Sequence, residues 1–178
     1  RFTDKYTNVH ELANASEDAI LKLWQGLGYY SRARNLHKAA KDIVVRFNGS
    51  FPQEFEEIKS LKGIGDYTAA AIASFAFKLP HAVVDGNVFR VLSRYSGIST
   101  PIDSGAGKKE FIALANDLLG KHPPDIFNQA IMEFGSRQCK PVSPDCSVCP
   151  LQATCYAYSN NVVDSLPVKS KKTKIRKR

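Results

Sequence analysis

The only four cysteines of the chain lie within seventeen residues and can place four thiolates around one centre. They follow the spacing C-x6-C-x2-C-x5-C and are Cys139, Cys146, Cys149 and Cys155. Four thiolates suit a zinc ion or a [4Fe–4S] cluster, since both take four such ligands. Disulfides are the alternative, but they are expected mainly in secreted chains, and nothing in the sequence resembles a secretory signal. The spacing therefore predicts a metal or cluster site, and it does not by itself distinguish zinc from iron–sulfur.

A carboxylate at the start of a predicted helix is the second candidate for chemistry. Asp85 follows the apolar pair Val83–Val84 and precedes Gly86, Asn87 and a helical pattern. An aspartate in this position most often caps the helix by accepting its free N–H groups. A carboxylate that faces a cleft could instead stabilise a cationic transition state. The two roles are compatible, because one oxygen can cap the helix while the other faces the site, but the sequence alone favours capping.

A glycine-containing turn, Leu61-Lys62-Gly63-Ile64-Gly65, joins two predicted helices. Its glycines allow the backbone to approach a phosphate closely, and the next helix offers free N–H groups and the positive end of its dipole. The arrangement is typical of a helix-hairpin-helix, which binds the DNA backbone regardless of sequence. An ordinary turn between helices, with glycine at the C-cap, explains the same residues equally well.

Between Gly26 and Arg34, aromatic residues and arginines lie beside two glycines. The segment contains Tyr29 and Tyr30, followed by Arg32. Aromatic rings can enter a base stack, and arginines can contact phosphates. Taken alone, the segment is better explained by core tyrosines and solvent-facing arginines.

Apolar residues recur at helical spacing through most of the chain, and no stretch alternates as a strand would. The predicted helical faces are Ile20–Leu27, Leu36–Phe47, Val88–Tyr95, Phe111–Leu119 and Phe127–Phe134, with a short helix between Phe51 and Leu61. Residues Tyr67–Phe77 are apolar nearly all round, which predicts a buried central helix. The predicted fold class is all-α, with the cysteine loop after the last long helix and a linker from Asn160 onward.

The formal net charge of +8 is concentrated at the C-terminal end. Seven of the 25 basic residues lie between Lys169 and Arg178, which leaves 18 basic against 17 acidic residues elsewhere. Global charge therefore does not indicate a nucleic-acid partner, and the run favours a solvated segment first and a phosphate-binding arm second. The longest apolar run, Ala69–Phe77, is too short to cross a bilayer, so no membrane partner is expected.

Taken together, in order and with their spacing, these motifs resemble the endonuclease III superfamily of DNA base-excision glycosylases. The resemblance rests on LKGIGDYTAAAIASFAF, VVDGNVFRVLSR and the cysteine loop, and it covers roughly Asn8 to Ser159. Within the superfamily, GLGYYSRARNLHKAA and FNQAIMEFG are similar to the adenine glycosylase branch, the MutY type. The resemblance implies a helix-hairpin-helix glycosylase fold that excises adenine mispaired with 8-oxoguanine or guanine in double-stranded DNA.

The resemblance also implies a role for each candidate residue. Asp85 matches the essential aspartate of the family, and Asn87 matches a neighbouring asparagine that positions the reaction centre. The turn Lys62, Gly63, Ile64 and Gly65 would bind the DNA backbone. Gln129 would contact the flipped adenine, and Tyr29 would intercalate beside the opposite oxidised guanine. The four cysteines would hold a [4Fe–4S] cluster.

Tyr67 distinguishes two kinds of glycosylase within the superfamily. Members that also cut the strand carry a lysine at this position, and that lysine forms a Schiff base with the sugar. Tyrosine cannot form the imine. The resemblance therefore implies a monofunctional glycosylase, in which Tyr67 hydrogen-bonds near the catalytic centre.

The expected organisation is a glycosylase core over residues 1–138 with the hairpin at about 54–77, a cluster loop over 139–155, and a basic linker over 156–178 toward a further domain. The family's catalytic glutamate has no match here, since Glu11 and Glu17 do not fit its motif. We therefore expect this chain alone to bind DNA without efficient excision, and the longer protein to be the enzyme. A monomer in the cytoplasm, associated with the nucleoid, is expected.

Three alternatives remain open. An endonuclease III-like glycosylase of other base specificity would differ in its substrates. A non-catalytic DNA-binding module would use the hairpin and the cluster for recognition only. An electron-transfer protein would cycle the cluster readily in the absence of DNA.

Overall fold

A computed structural model describes residues 2–170, and every regular element within them is helical, as the sequence predicts. The cationic residues from Lys171 onward lie outside the described residues. The chain groups into two compact units, one ending at Ala73 and the other beginning at Ser74. Each unit has its own cluster of buried apolar side chains.

The first unit is built around its longest helix. Its helices are α1 (Phe2–Lys5), α2 (Val9–Asn14), α3 (Glu17–Leu23), α4 (Tyr30–Phe47), α5 (Phe55–Ser60) and the beginning of α6 (Asp66–Phe77), which continues into the second unit. Helix α4 packs against α2 and α3. It ends at Phe47, where the predicted helical face also ends, and the next residue, Asn48, adopts the left-handed conformation.

The core of the first unit fixes the hairpin turn against α4. Ala39 and Ile43 on α4 are buried together with Leu61, the residue that follows α5. Ile64 of the turn packs partly buried on the same cluster. Burial of these apolar side chains holds the turn in place while leaving its glycines near the surface.

The second unit contains three longer helices and the cysteine loop. Its helices are α7 (Gly86–Ser96), α8 (Gly105–Leu119), α9 (Pro124–Arg137) and the short α10 (Tyr156–Ser159), with 3₁₀ turns at Gln152–Thr154 and Val163–Ser165. Helix α7 packs against both α8 and α9. Its apolar face buries Val88 and Leu92 against Phe111, Ala115 and Leu119 of α8.

Two of the predicted helices differ from those observed. Helix α3 ends at Leu23, and Leu27 lies beyond it with an exposed side chain, so the predicted extension of that face was wrong. Helix α6 exists as predicted, but it is not buried all round, because Tyr67 and Ala76 are exposed. The buried residues of α6 are small and lie on one face of the helix, where they allow close packing.

Residues 160–170 pack onto the second unit, although the sequence pattern predicted a linker from Asn160. Leu166 is buried, the Val168 carbonyl accepts the N–H of Ile102 at 3.0 Å, and the N–H of Ser170 donates to Asp103 at 2.8 Å. Isolated contacts of this kind leave no periodic signal, which is why the pattern missed them.

Among the described residues, no helix combines the length and the apolar composition that crossing a membrane requires.

Candidate functional site

The Asp85 carboxylate is held at the start of α7 by three N–H donors. Its Oδ1 accepts the backbone N–H groups of Asn87 and Val88, both at 2.8 Å, which is the capping geometry expected from sequence. Its Oδ2 accepts the side-chain amide of Asn87 at 2.9 Å. The carboxylate is half-buried, and Oδ2, which accepts a single donor, has a further lone pair for a partner. The structure therefore brings Asp85 and Asn87 together in a fixed geometry.

A buried asparagine positions the extended segment that leads to Asp85. The side chain of Asn128, on α9, is 0% exposed. Its Oδ1 accepts the N–H of Val83 at 2.9 Å, and its Nδ2 donates to the carbonyl of His81, also at 2.9 Å. Asn116 of α8 accepts the neighbouring N–H of Ala82 at 2.9 Å. Because these backbone groups have no sheet partner, side chains satisfy them and set the position of the segment.

Arg90 connects the Asp85 site to the cysteine loop. Its Nη2 donates to Asn87 Oδ1 at 2.9 Å and to the Gly135 carbonyl at 2.6 Å, and its Nε donates to the Cys139 carbonyl at 2.7 Å. Burial lowers the pKa of Arg90, while the nearby Cys139 and Asp85 act to raise it. A guanidinium stays protonated despite such a shift, so Arg90 supplies a fixed positive charge next to Asp85.

The four cysteines line a single cavity in the second unit, together with Arg94 and Phe134. All four thiols are free. Burial, followed by the charges of the other three cysteines, raises the pKa of the Cys146 thiol, as expected for neighbouring thiols. Within residues 2–170, no three His, Cys, Asp or Glu side chains are grouped as ligands of a single metal ion.

Arg94 is a buried residue that binds backbone carbonyls of the cysteine loop. Its side chain is 3% exposed, and Nη1 lies 3.5 Å from Cys139 Sγ. The guanidinium donates to four backbone carbonyls, those of Lys140, Pro141, Val163 and Leu166. It thereby joins the beginning of the loop to the segment that follows α10.

Gln129 lies on the exposed side of α9, away from the buried Asn128. It lines an open cleft of ≈ 530 Å³ with Phe75, Asp125, Ile126, Ala130 and Glu133. The pKa of Asp125 is lowered, chiefly by its hydrogen bond with Lys78, whose Nζ lies 2.6 Å from Oδ2. The cleft combines an aromatic ring with amide and carboxylate groups, which can bind a flat polar ligand.

The hairpin turn bends tightly at Gly63. Gly63 has a φ of +83°, and a Cβ at this position would lie 2.5 Å from the Cβ of Asn35, so only glycine fits. The N–H of Lys62 donates to Asp42 on α4 at 3.4 Å. Lys62, Gly63 and Gly65 are exposed. The predicted candidates of this turn therefore lie together on the surface of the first unit.

The two candidate tyrosines also belong to the first unit. Tyr29 is 82% exposed, which makes the interpretation as a core tyrosine wrong. Tyr67 is half-exposed in the first turn of α6.

Four residues of the site were missed in the sequence: Arg90, Arg94, Asn128 and Gly135. The two arginines lie on the face of α7 opposite Val88 and Leu92, which an amphipathic pattern assigns to solvent. Gly135 lies where α9 meets Asn87, since a Cβ there would be 2.7 Å from the Asn87 Cβ. Apart from the bonds of Arg90 to Gly86 and Asn87, their partners lie more than forty residues away in sequence, where local patterns give no signal.

Comparison with known proteins shows the family to which this chain belongs. Residues 1–115 match the family described as HhH-GPD superfamily base excision DNA repair protein. Because this match covers more than half of the chain, the chain belongs to that superfamily.

Curated relatives and solved structures agree with this assignment. The chain is 39% identical over 175 residues to an adenine DNA glycosylase of Buchnera aphidicola subsp. Baizongia pistaciae, covering 98% of this chain and 49% of the relative. It is 43% identical over 159 residues to the mouse adenine DNA glycosylase, covering 89% of this chain and 31% of that one. The chain thus spans half the length of these relatives or less.

Two solved structures share the fold. A thermostable thymine-DNA glycosylase has a TM-score of 0.82 and 29% identity, covering 89% of this chain and 73% of that one. Endonuclease III, in a trapped covalent intermediate with DNA, has a TM-score of 0.77 and 27% identity, covering 90% of this chain and 74% of that one.

Proposed function

We propose that this chain belongs to a monofunctional DNA glycosylase that removes adenine mispaired with 8-oxoguanine or guanine by hydrolysing the N-glycosidic bond. The observation that carries the proposal is the Asp85 carboxylate, held by three N–H donors at the start of α7. Similarity to adenine DNA glycosylases over nearly the whole chain supports the choice of base.

Asp85 stabilises the positive charge that develops on the sugar. As the bond to the base breaks, C1′ becomes oxocarbenium-like, and a fixed carboxylate lowers the energy of this state. Asn87 fixes the carboxylate orientation by donating to Oδ2. Loss of one such electrostatic group typically costs about 3 kcal/mol, or about 10²-fold in rate.

The other candidates bind and orient the duplex. Adenine must leave the base stack to reach a side chain, which costs a few kcal/mol. Gln129, in its open cleft, is proposed to bind the flipped adenine through its amide. Tyr29 is proposed to fill the stack beside the opposite base, and the turn from Lys62 to Gly65 to bind the backbone.

Two further questions are whether the protein also cuts the DNA strand and which residue protonates the adenine. Tyr67 has no amine with which to form a Schiff base, which supports a monofunctional reaction. Glu11 accepts the N–H of Thr7 at 2.8 Å, and Glu17 pairs with Arg34 at 2.9 Å. Both carboxylates therefore have structural partners, and we assign neither of them as the acid that protonates adenine.

The four cysteines are proposed to hold a [4Fe–4S] cluster. The donor set fits, because four free thiols line one cavity and Arg94 directs its positive charge at Cys139. When bound, the cluster would cross-link the loop over residues 139–155 through four iron–sulfur bonds. In the proposed organisation, this loop follows the glycosylase core over residues 1–138. Double-stranded DNA is the proposed partner. We further propose that the protein is a monomer and is associated with the nucleoid.

The test replaces Asp85 by asparagine in the complete protein. Asparagine caps a helix about as well as aspartate, so Asp85→Asn keeps the helix start while it removes the charge and the acceptor of the Asn87 amide. We expect excision of adenine opposite 8-oxoguanine, measured under single-turnover conditions, to fall by at least about 10²-fold. Asp117→Asn, an exposed change on α8, is the matched control. Full activity of Asp85→Asn would overturn the assignment.

The similarity to a thymine-DNA glycosylase favours a second candidate, a mismatch glycosylase of other base specificity. A panel of duplexes carrying adenine, thymine or oxidised pyrimidines in mispairs distinguishes the two. Release of adenine alone supports the first proposal, and release of a pyrimidine supports the second.

A further inference from the structure

Tyr29 is largely exposed to solvent, and its backbone has an uncommon conformation. It adopts the left-handed conformation, with φ 48° and ψ 54°, immediately before α4 begins. The preceding Gly28 also has a positive φ, of 65°. A non-glycine residue takes this conformation only when the surroundings impose it, and such residues often mark functional positions. The backbone conformation therefore marks Tyr29 as a candidate functional position.

The guanidinium of Arg32 lies against two aromatic rings at once. Its central carbon is 5.6 Å from the centroid of Tyr29 and 5.7 Å from that of Trp24. Both distances are within the range of cation–π attraction. Arg32 lies in the first turn of α4, three residues after Tyr29. Arg32 thus links the exposed ring to a ring packed within the first unit.

Trp24 is itself anchored on both sides. Its indole N–H donates to the Gly28 carbonyl at 3.1 Å, which fixes the turn that delivers Tyr29. Its ring meets Phe2 edge-on, with centroids 5.9 Å apart, and Phe2 meets Tyr6 in the same way at 5.3 Å. These contacts form an aromatic row that ends in Arg32 and Tyr29.

We propose that Arg32 is a positioning residue that holds the Tyr29 ring ready to enter a base stack. This inference rests on the proposed function and on the wedge role of Tyr29. A ring ordered before binding loses less conformational freedom when it inserts, so preorganisation raises affinity without a new contact to DNA. The aromatic row behind Arg32 resists displacement of the ring when base pairs close on it.

Arginine suits this role better than lysine. A planar guanidinium can stack on two aromatic faces, whereas an ammonium is a compact, strongly hydrated charge on a flexible stem. Arg32→Lys therefore keeps the charge and removes the stacking. The substitution separates positioning from simple attraction to phosphate, which depends on charge alone.

The experiment measures insertion directly in the 178-residue chain. The probe is a duplex with 2′-fluoro-adenosine opposite 8-oxoguanine, since the fluorine disfavours the oxocarbenium-like state and prevents turnover. A 2-aminopurine next to the 8-oxoguanine reports opening of that base step by a rise in fluorescence. We expect Arg32→Lys to weaken binding roughly threefold to tenfold and to reduce the fluorescence rise, with the salt dependence of binding unchanged.

Arg46→Lys is the matched control, because Arg46 stacks on Phe47 at 4.9 Å at the other end of the same helix. Its fluorescence rise should equal that of the unsubstituted chain. In a Tyr29→Ala background, Arg32→Lys should cause no further loss, because the ring that it positions is gone. Thermal unfolding by circular dichroism checks that each variant is folded.

Three results would overturn the inference. An unchanged fluorescence rise for Arg32→Lys, with the rise lost in Tyr29→Ala, refutes the positioning role and leaves the proposed function intact. An equal loss from Arg32→Lys with and without Tyr29 shows that Arg32 acts independently of the ring. If the unsubstituted chain does not prefer the mispaired duplex over a matched one, the proposed function fails together with the inference.

Discussion

Replacing Gly135 by alanine should damage the Asp85 site with little loss of stability. Gly135 lies on α9 where that helix crosses the start of α7. An added Cβ would lie 2.7 Å from the Cβ of Asn87 and 3.0 Å from its carbonyl oxygen. These neighbours are backbone or directly attached to it, so they cannot rotate away. One of the two helices must move for the methyl group to fit.

Gly135→Ala should cause a small loss in the free energy of unfolding and a large loss in reaction rate. Forcing an extra methyl group into a packed interface typically costs about 1–3 kcal/mol, and replacing glycine by alanine within a helix returns about 1 kcal/mol. The free energy of unfolding should therefore fall by only about 1 kcal/mol. The helix movement that the methyl group forces displaces Asn87, whose amide donates to Asp85. A displacement of about 1 Å at a reacting group can lower the reaction rate by about 10²-fold.

The assay compares Gly135→Ala with Gly105→Ala in the complete protein. Gly105 begins α8, and a Cβ there would have nothing within 4 Å. Urea unfolding should place Gly105→Ala at or slightly above the unsubstituted protein and Gly135→Ala slightly below it. Single-turnover excision of adenine should fall only in Gly135→Ala. Unchanged excision in Gly135→Ala, or an equal loss in both variants, would refute the reasoning.

Three further predictions concern other parts of the site. Asn128→Ala should lower the free energy of unfolding in urea by roughly 2–4 kcal/mol, because two buried backbone groups lose their partner; a loss within error would contradict this. Lys62→Gln should reduce the slope of log affinity against log salt by about 1 in a DNA-binding titration, and an unchanged slope would remove Lys62 from the interface. The lowered pKa of Asp125 contributes stability that is present above its ordinary value and is lost as pH falls through the lowered one. Lys78→Met should therefore be less stable than the unsubstituted protein at pH 7, and the difference should vanish in strong acid.

Local chemistry made part of the site predictable. Asp85 was identified because a capping aspartate depends only on the residues that follow it, and the observed bonds to Asn87 and Val88 have that spacing. The hairpin turn was identified because Gly63 adopts a backbone conformation that few other residues can. In both places the local backbone conformation follows from neighbouring residues, whereas its position in the fold depends on distant ones.

The remainder of the site depends on contacts that sequence reasoning cannot evaluate. The helical pattern of α7 indicates one apolar face and assigns Arg90 and Arg94 to solvent, yet both are buried against distant carbonyls. The same limit applies to Leu166, which is buried and whose carbonyl accepts a bond from the distant Arg94. Tyr29 shows the opposite error: the sequence pattern alone favours a core tyrosine, whereas the side chain is exposed.

Helix α7 explains how an irregular loop can be ordered next to the Asp85 carboxylate. Residues 139–155 contain a single 3₁₀ turn, so most of their backbone groups lack helical partners. Two guanidinium groups on α7 bind carbonyls at the beginning of that loop, Arg90 at Cys139 and Arg94 at Lys140. Hydrogen bonds to charged groups are worth about 1.5–3 kcal/mol each, enough to offset the conformational entropy of one or two residues. Because Arg90 also binds the Asn87 amide, the order of the loop and the geometry of Asp85 depend on the same side chain. A substitution of Arg90 must therefore affect both sites, whereas a change at Arg94 acts on the loop first.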